Sequence, residues 1–252
     1  MVTLFDIPLS PYAQKIKLAL LEKQIPFEVH PVDLWQPDAI FLAASPRAQA
    51  PALQSGDLAV FDSTIILEYL EDRWPERPLL PRSPEARART RMLEDVCDTT
   101  YDAINWSVME VTVFERATGE LASHLLETAR QQVAEVNAWL ETQLDAKDWF
   151  GGEDCLWADI SAYPYVNGAA AQGNKPPQGS ALEAWLKAMR GRASAQRVRE
   201  DIRAYLAQRR EGRTWRTYRD HRLEWMMRSG GQQIVLDGLA DGSVRFANHT
   251  FE

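Results

Sequence analysis

The rhythm of apolar and polar positions changes along the chain. Val2–Asp6 (VTLFD) is a short apolar run of strand type, and Phe27–Val32 alternates with the two-residue period of a half-buried strand. Between them, Ser10-Pro11 reads as a helix start. Serine accepts a bond from a free helical N–H, and proline suits the first position, where no N–H is needed. Ala13, Ile16, Ala19 and Leu20 then fall on one helical face with Lys15 and Lys23 off it, until Gln24-Ile25-Pro26 ends the helix. Asp38–Ala44 reads as a short helix. Ala52–Leu53 and Leu58–Phe61 read as strands around a turn at Ser55-Gly56-Asp57, and Ser63–Trp74 as a helix with Ile66, Tyr69 and Leu70 inward. The order is β-α-β-α-β-β-α.

Pro75–Pro84 (PERPLLPRSP) holds four prolines and reads as an interdomain linker. Beyond it the period is helical for over 100 residues. Arg87–Arg116 is expected as one long helix and Glu120–Leu144 as a second. Ala158–Ala171, Ala181–Met189 and Val198–Gln208 follow, the first two separated by the loop Gly173–Gly179. Arg209–Arg228 is a basic, aromatic helix candidate. Ile234–Leu239 and Ser243–Ala247 read as strands around Asp241-Gly242, a favoured hairpin turn. The expected divisions are 1–80, an α/β domain; 85–207, an all-helical domain; and 208–252, a C-terminal extension of helix and hairpin.

The composition, 45% hydrophobic and 25% charged over 252 residues, is globular. It excludes a collagen-like, a disordered and a disulfide-stapled chain. No apolar run approaches the ~20 residues that span a bilayer. The start, MVTLFDIPLSPYAQK, lacks the pattern of a secretory signal, so a cytoplasmic protein without a membrane partner is expected. Cys97 and Cys155 make no CxxC pair, and with four scattered histidines no metal site is expected. Charge is uneven: net −14 over residues 1–186 and +6 over residues 187–252. The acidic body speaks against nucleic acid as a partner. The tail, in which Arg213, Arg216, Arg219 and Arg222 alternate with Trp215, Tyr218 and Trp225, is expected to dock on that body or on a partner subunit.

Four segments together resemble the glutathione S-transferase superfamily: SPYAQKIKLALLEKQIPFE at the first helix, SPRAQAPAL at 45–53, DSTIILEYLEDRWP at 62–75, and WADI at 157–160 with AWLKAMRGRASAQ at 184–196. Their order matches a thioredoxin-like domain followed by an all-helical domain, over about residues 1–207. The resemblance implies a transferase using glutathione as cosubstrate on a small apolar electrophile, and a homodimer. DSTIILEYLED also resembles bacterial β-aryl ether-cleaving members, which makes glutathione-dependent ether cleavage an alternative reaction. A non-catalytic binding protein of the same fold is the alternative class.

On the residues alone, Ser10 is a helix cap. The resemblance makes it the thiol-activating residue, and the two roles coexist. A hydroxyl donating to sulfur, beside free N–H groups and the positive helix end, favours the thiolate. Tyr12 is a competing hydroxyl. Members of omega or beta type carry cysteine at the position of Ser10, so serine counts against disulfide exchange. The resemblance implies a cis Ala50-Pro51 bond whose exposed backbone pairs with the cysteinyl part of glutathione. It implies Ser63 and helix N–H groups on the γ-glutamyl carboxylate and Asp62 on the ammonium. Gln49 and Arg47 are placed near the glycyl carboxylate. Asp159 is read as a folding residue, although Leu156 stands where the capping serine or threonine is usual. Tyr101, Ile104, Trp106, Val108 and Met109 are candidates for an electrophile pocket or for plain bundle core.

Overall fold

The computed structural model describes residues 1–34 and 36–207. The helix and hairpin read from Arg209 onward, and the docking of that tail, lie outside the described residues. Among those described, no helix is long and apolar enough to cross a membrane.

Strands β1 (Val2–Asp6), β2 (Phe27–Pro31), β3 (Ala52–Ser55) and β4 (Leu58–Phe61) form one sheet in the order β2-β1-β3-β4. β1 and β2 are parallel, as a crossover through a helix requires; β3 runs antiparallel to both β1 and β4. Helices α1 (Pro11–Glu22), α2 (Ala39–Ala44) and α3 (Ser63–Arg73) complete this half, giving a thioredoxin-like unit. The rest is helical: α4 (Pro84–Asp95), a π turn (Val96–Tyr101), α5 (Asp102–Thr112), α6 (Gly119–Leu144), α7 (Trp157–Ala171), α8 (Ala181–Gly191) and α9 (Ala193–Ala207).

The single helix expected over Arg87–Arg116 runs without interruption from Pro84, carries a π turn at Val96–Tyr101, and stops at Thr112. Glu115 has φ 53°, and the N–H of Arg116 closes back on the carbonyl of Glu110 at 3.0 Å. A left-handed residue reverses the chain in this way and no helix continues through it.

α1 and α7 pack on each other at the seam between the two halves, and neither keeps a solvent face over its middle. This changes the meaning of the α1 lysines. Lys15 and Lys23 lie off the apolar face, as the spacing predicts, yet they are buried. A buried ammonium is tolerated only when paired. Lys15 meets Glu94 and Asp98, Lys17 meets Asp6 and Asp201, and Lys23 meets Glu71 at 2.6 Å and the carbonyl of Arg77 at 2.8 Å.

Asp159 is fully buried at the start of α7. It accepts from the N–H of Leu156 and of Phe150, each at 2.9 Å, and from Trp185 Nε1 at 2.8 Å. Leu156 has no oxygen to return the bond, so one half of a capping box serves here. Asp159 makes up the difference by tying a loop and a second helix, α8, to the same carboxylate. Burial pushes its carboxyl upward despite these donors.

Candidate functional site

Register places the candidate residues at one end of the sheet. Phe5 pairs with Ala52, and Ala52 with Phe61. The loop leaving β1, the entry to β3 and the exit of β4 therefore meet at the C-terminal end of β1. These carry Ser10, Ala50-Pro51 and Asp62-Ser63 respectively. The N-termini of α1 and α3 both open at this end, each with a partial positive charge.

Ser10 caps α1. Its Oγ accepts from the N–H of Ala13 at 3.3 Å, and its carbonyl accepts from the N–H of Gln14 at 3.0 Å. Accepting occupies one lone pair and leaves the hydroxyl proton to be donated. Gln14 Nε2 donates to the carbonyl of Pro8 at 2.9 Å and steadies the loop that carries Ser10. Tyr12 is committed elsewhere. Its hydroxyl donates to the Asp98 carbonyl at 2.8 Å and lies 3.0 Å from Asp102 Oδ2. Burial, then the Asp102 and Asp98 charges, push this phenol upward, so its proton is held toward the helical half.

The Ala50-Pro51 bond is cis, as the resemblance implies. Ala50 lies outside the ladder, which starts at Ala52. The Ser45 hydroxyl holds this loop by donating to the Gln49 carbonyl at 2.8 Å and accepting from its N–H at 3.2 Å. Asp62 has φ 77° and ψ 125°, a region that a residue with a Cβ rarely adopts. Its carboxylate takes the N–H of Thr64 at 3.1 Å and that of Ile65 at 3.4 Å, which holds the bend. Ser63 is buried at the first position of α3. Arg47 stacks 5.1 Å over the Phe61 ring and stands 3.6 Å from Asp62 Oδ2, so it faces the same edge as the Asp62 carboxylate.

The pocket candidates divide. Tyr101, Ile104 and Val108 are buried in the bundle core, Tyr101 donating to Asn137 Oδ1 at 2.8 Å. Trp106 is half-buried; its Nε1 donates to Glu110 at 2.6 Å and its ring lies against Phe114. Opposite Tyr12, the helical half presents Asp98 and Asp102. Sequence reasoning did not single these out, nor Thr64 and Glu94 behind them, and it placed Lys15 only off the apolar face of the first helix. Lys15 and Glu94 lie 79 positions apart, and no local signal pairs them.

A four-stranded thioredoxin-like unit, a cis X-Pro bond at the start of β3 and a left-handed residue before a serine at the start of α3, followed by a helical domain, define one class of fold. The glutathione S-transferase N-terminal domain model matches residues 4–78. Over 165 residues the chain is 39% identical to a stringent starvation protein A homolog of Coxiella burnetii, covering 66% of this chain and 74% of that protein. It is 30% identical over 162 residues to glutathione S-transferase U6 of Arabidopsis thaliana, covering 64% of this chain and 68% of that one. A solved glutathione S-transferase from Rhodospirillum rubrum superposes with a TM-score of 0.70 at 26% identity, over 79% of this chain and 91% of that one. The chain belongs to the glutathione S-transferase superfamily.

Proposed function

We propose that the protein is a glutathione transferase-type enzyme that activates the glutathione thiol for attack on a small apolar electrophile. The observation that carries this reading is the convergence of two helix N-termini, Ser10 and Ser63, with the cis Ala50-Pro51 segment at one sheet end. In this reading the Ser10 hydroxyl donates to the sulfur. Together with the α1 N-terminus it favours the thiolate, and the thiol proton leaves to water. The backbone of Ala50, set by Pro51, pairs with the cysteinyl residue. Ser63 and the positive N-terminal end of α3 take the γ-glutamyl carboxylate, and Asp62 takes the ammonium. Arg47 and Gln49 reach the glycyl carboxylate. The thiolate then forms an S–C bond while the leaving group departs with its electron pair, or adds to an activated double bond. Aryl ether cleavage is the first substitution, with a phenolate as leaving group.

A homodimer belongs to this reading. Leu58, Phe61, Ile65 and Met92 expose apolar area on β4, α3 and α4. Ile65 lies one turn before Glu68, and Met92 directly follows Arg91, whose Nε donates to Glu68 at 2.7 Å. One observation favours a second reading, a binding protein without transferase activity: a relative at 39% identity carries the name stringent starvation protein A, which names no transferase. Retention on immobilised glutathione, with thiol consumption measured on haloarene, enone and aryl ether probes, separates them. Retention with consumption is expected. Retention without it favours the binding protein, and no retention removes glutathione from both.

A further inference from the structure

Three side chains from three different helices converge on Glu94, and the reading above uses none of them. Lys15 Nζ donates to Glu94 Oε1 at 2.7 Å, and Thr64 Oγ1 donates to the same oxygen at 3.0 Å. Trp157 Nε1 donates to Oε2 at 2.6 Å. The Lys15 side chain is 0% exposed and that of Glu94 2%. Lys15 also holds Asp98 Oδ2 at 2.5 Å, and Asp98 Oδ1 accepts from the Tyr165 hydroxyl at 2.7 Å. The cluster therefore joins α1, α3 and α7 through two carboxylates, one on α4 and one on the π turn.

The places of these bonds on their helices matter more than their number. Thr64 directly follows Ser63. Its N–H donates to Asp62 Oδ1 at 3.1 Å while its hydroxyl goes to Glu94, so one residue links the candidate γ-glutamyl subsite to the buried cluster. Lys15 lies on the second turn of α1, the helix that Ser10 caps. Cohesion alone does not call for ions here, since apolar groups of similar volume often replace a buried pair at no loss of stability. Directional bonds from two helix starts to one rigid carboxylate do something apolar contact does not: they fix where those starts stand.

We infer that Glu94 is a positioning residue for the glutathione site, holding the α3 start through Thr64 and α1 through Lys15 so that the γ-glutamyl end and the cysteinyl thiol are met at once. This rests on the proposed glutathione-binding reading.

The test is Thr64→Val, near-isosteric, which removes the hydroxyl and keeps the Lys15–Glu94 pair. The KM for glutathione should rise by roughly three- to tenfold, the scale of a partly transmitted bond to a charged group, and the change should fall on KM and not on kcat. The dissociation constant of S-methylglutathione, which has no free thiol, should rise by the same factor. Thr64→Ser should restore both. A KM and dissociation constant within twofold of the parent, or failure of the serine variant to restore them, overturns the inference. Absence of glutathione binding in the parent protein defeats the proposed function instead. Amide exchange then decides the geometry alone: at Thr64 and Ile65 it should be faster in Thr64→Val than in Thr64→Ser, and equal rates overturn the inference.

Discussion

Lys15→Met offers a direct measure of what the seam between the two halves costs and gains. The substitution keeps most of the aliphatic length and removes the ammonium that lies 2.7 Å from Glu94 and 2.5 Å from Asp98. Two carboxylates are then left facing each other without their cation, one fully and one largely out of solvent. Removing one member of a buried pair costs about 3–5 kcal/mol, and for a unit of this size that lowers the melting midpoint by roughly 6–20 °C. The pH dependence carries the sharper signature. Burial already raises the Asp98 carboxyl, opposed by Lys15 and by the Tyr165 hydroxyl, with Glu94 adding to the rise. A carboxyl whose folded value lies above its unfolded value of about 3.9 binds more protons folded than unfolded, so stability falls as pH climbs between the two values. Losing Lys15 removes a lowering influence and widens that window upward. The stability deficit of Lys15→Met should therefore be smaller at pH 5 than at pH 8. Urea melts at both pH values, followed by far-ultraviolet circular dichroism, report it. A deficit below about 1 kcal/mol, or one equal at the two pH values, would refute the account of the seam.

Ser10→Ala should raise the pKa of bound glutathione and lower turnover by roughly 10–100-fold, about 1.4–2.7 kcal/mol, with a smaller effect on binding. Thiolate absorbance and steady-state kinetics check it, and an unchanged thiol pKa would leave Ser10 as a cap only. Ser63→Ala should weaken glutathione binding by about 0.5–3 kcal/mol in calorimetry without moving the thiol pKa. Asp159→Ala strands the N–H groups of Leu156 and Phe150 and the Trp185 indole. It should cost about 3–5 kcal/mol in chemical denaturation, and a loss under 1 kcal/mol would show that water replaces the carboxylate.

How much of this was legible beforehand depended on how local each cause is. The β-α-β-α-β-β-α order follows from period changes and from Pro and Gly punctuation, and each element lies within a few residues of where those signals place it. Ser10 was readable as a cap because a cap is decided within four residues; Asp38, read as the first residue of a short helix, is the cap of α2. The cis Ala50-Pro51 bond came from resemblance, since proline alone does not choose its isomer. The π turn at Val96–Tyr101 was not readable: the weak helix formers of VCDTTY do not by themselves select a wider turn, and its partners Tyr12, Lys15 and Tyr165 lie on other helices.

The lysines of α1 show the same limit from the other side. A helical wheel sorts residues into one apolar face and the remainder, and it assumes that the remainder meets water. α1 has the sheet, α3, α7 and α9 around it, so the remainder meets protein. The sequence does record the consequence, as carboxylates at Asp6, Glu71, Glu94, Asp98 and Asp201, but in four separate segments. A cation and its carboxylate can be exchanged only together once they are buried. That is why a proposed site built from short local motifs comes to rest on a cluster assembled from the whole length of the described chain, and why Thr64, standing between motif and cluster, is the position where the two can be tested apart.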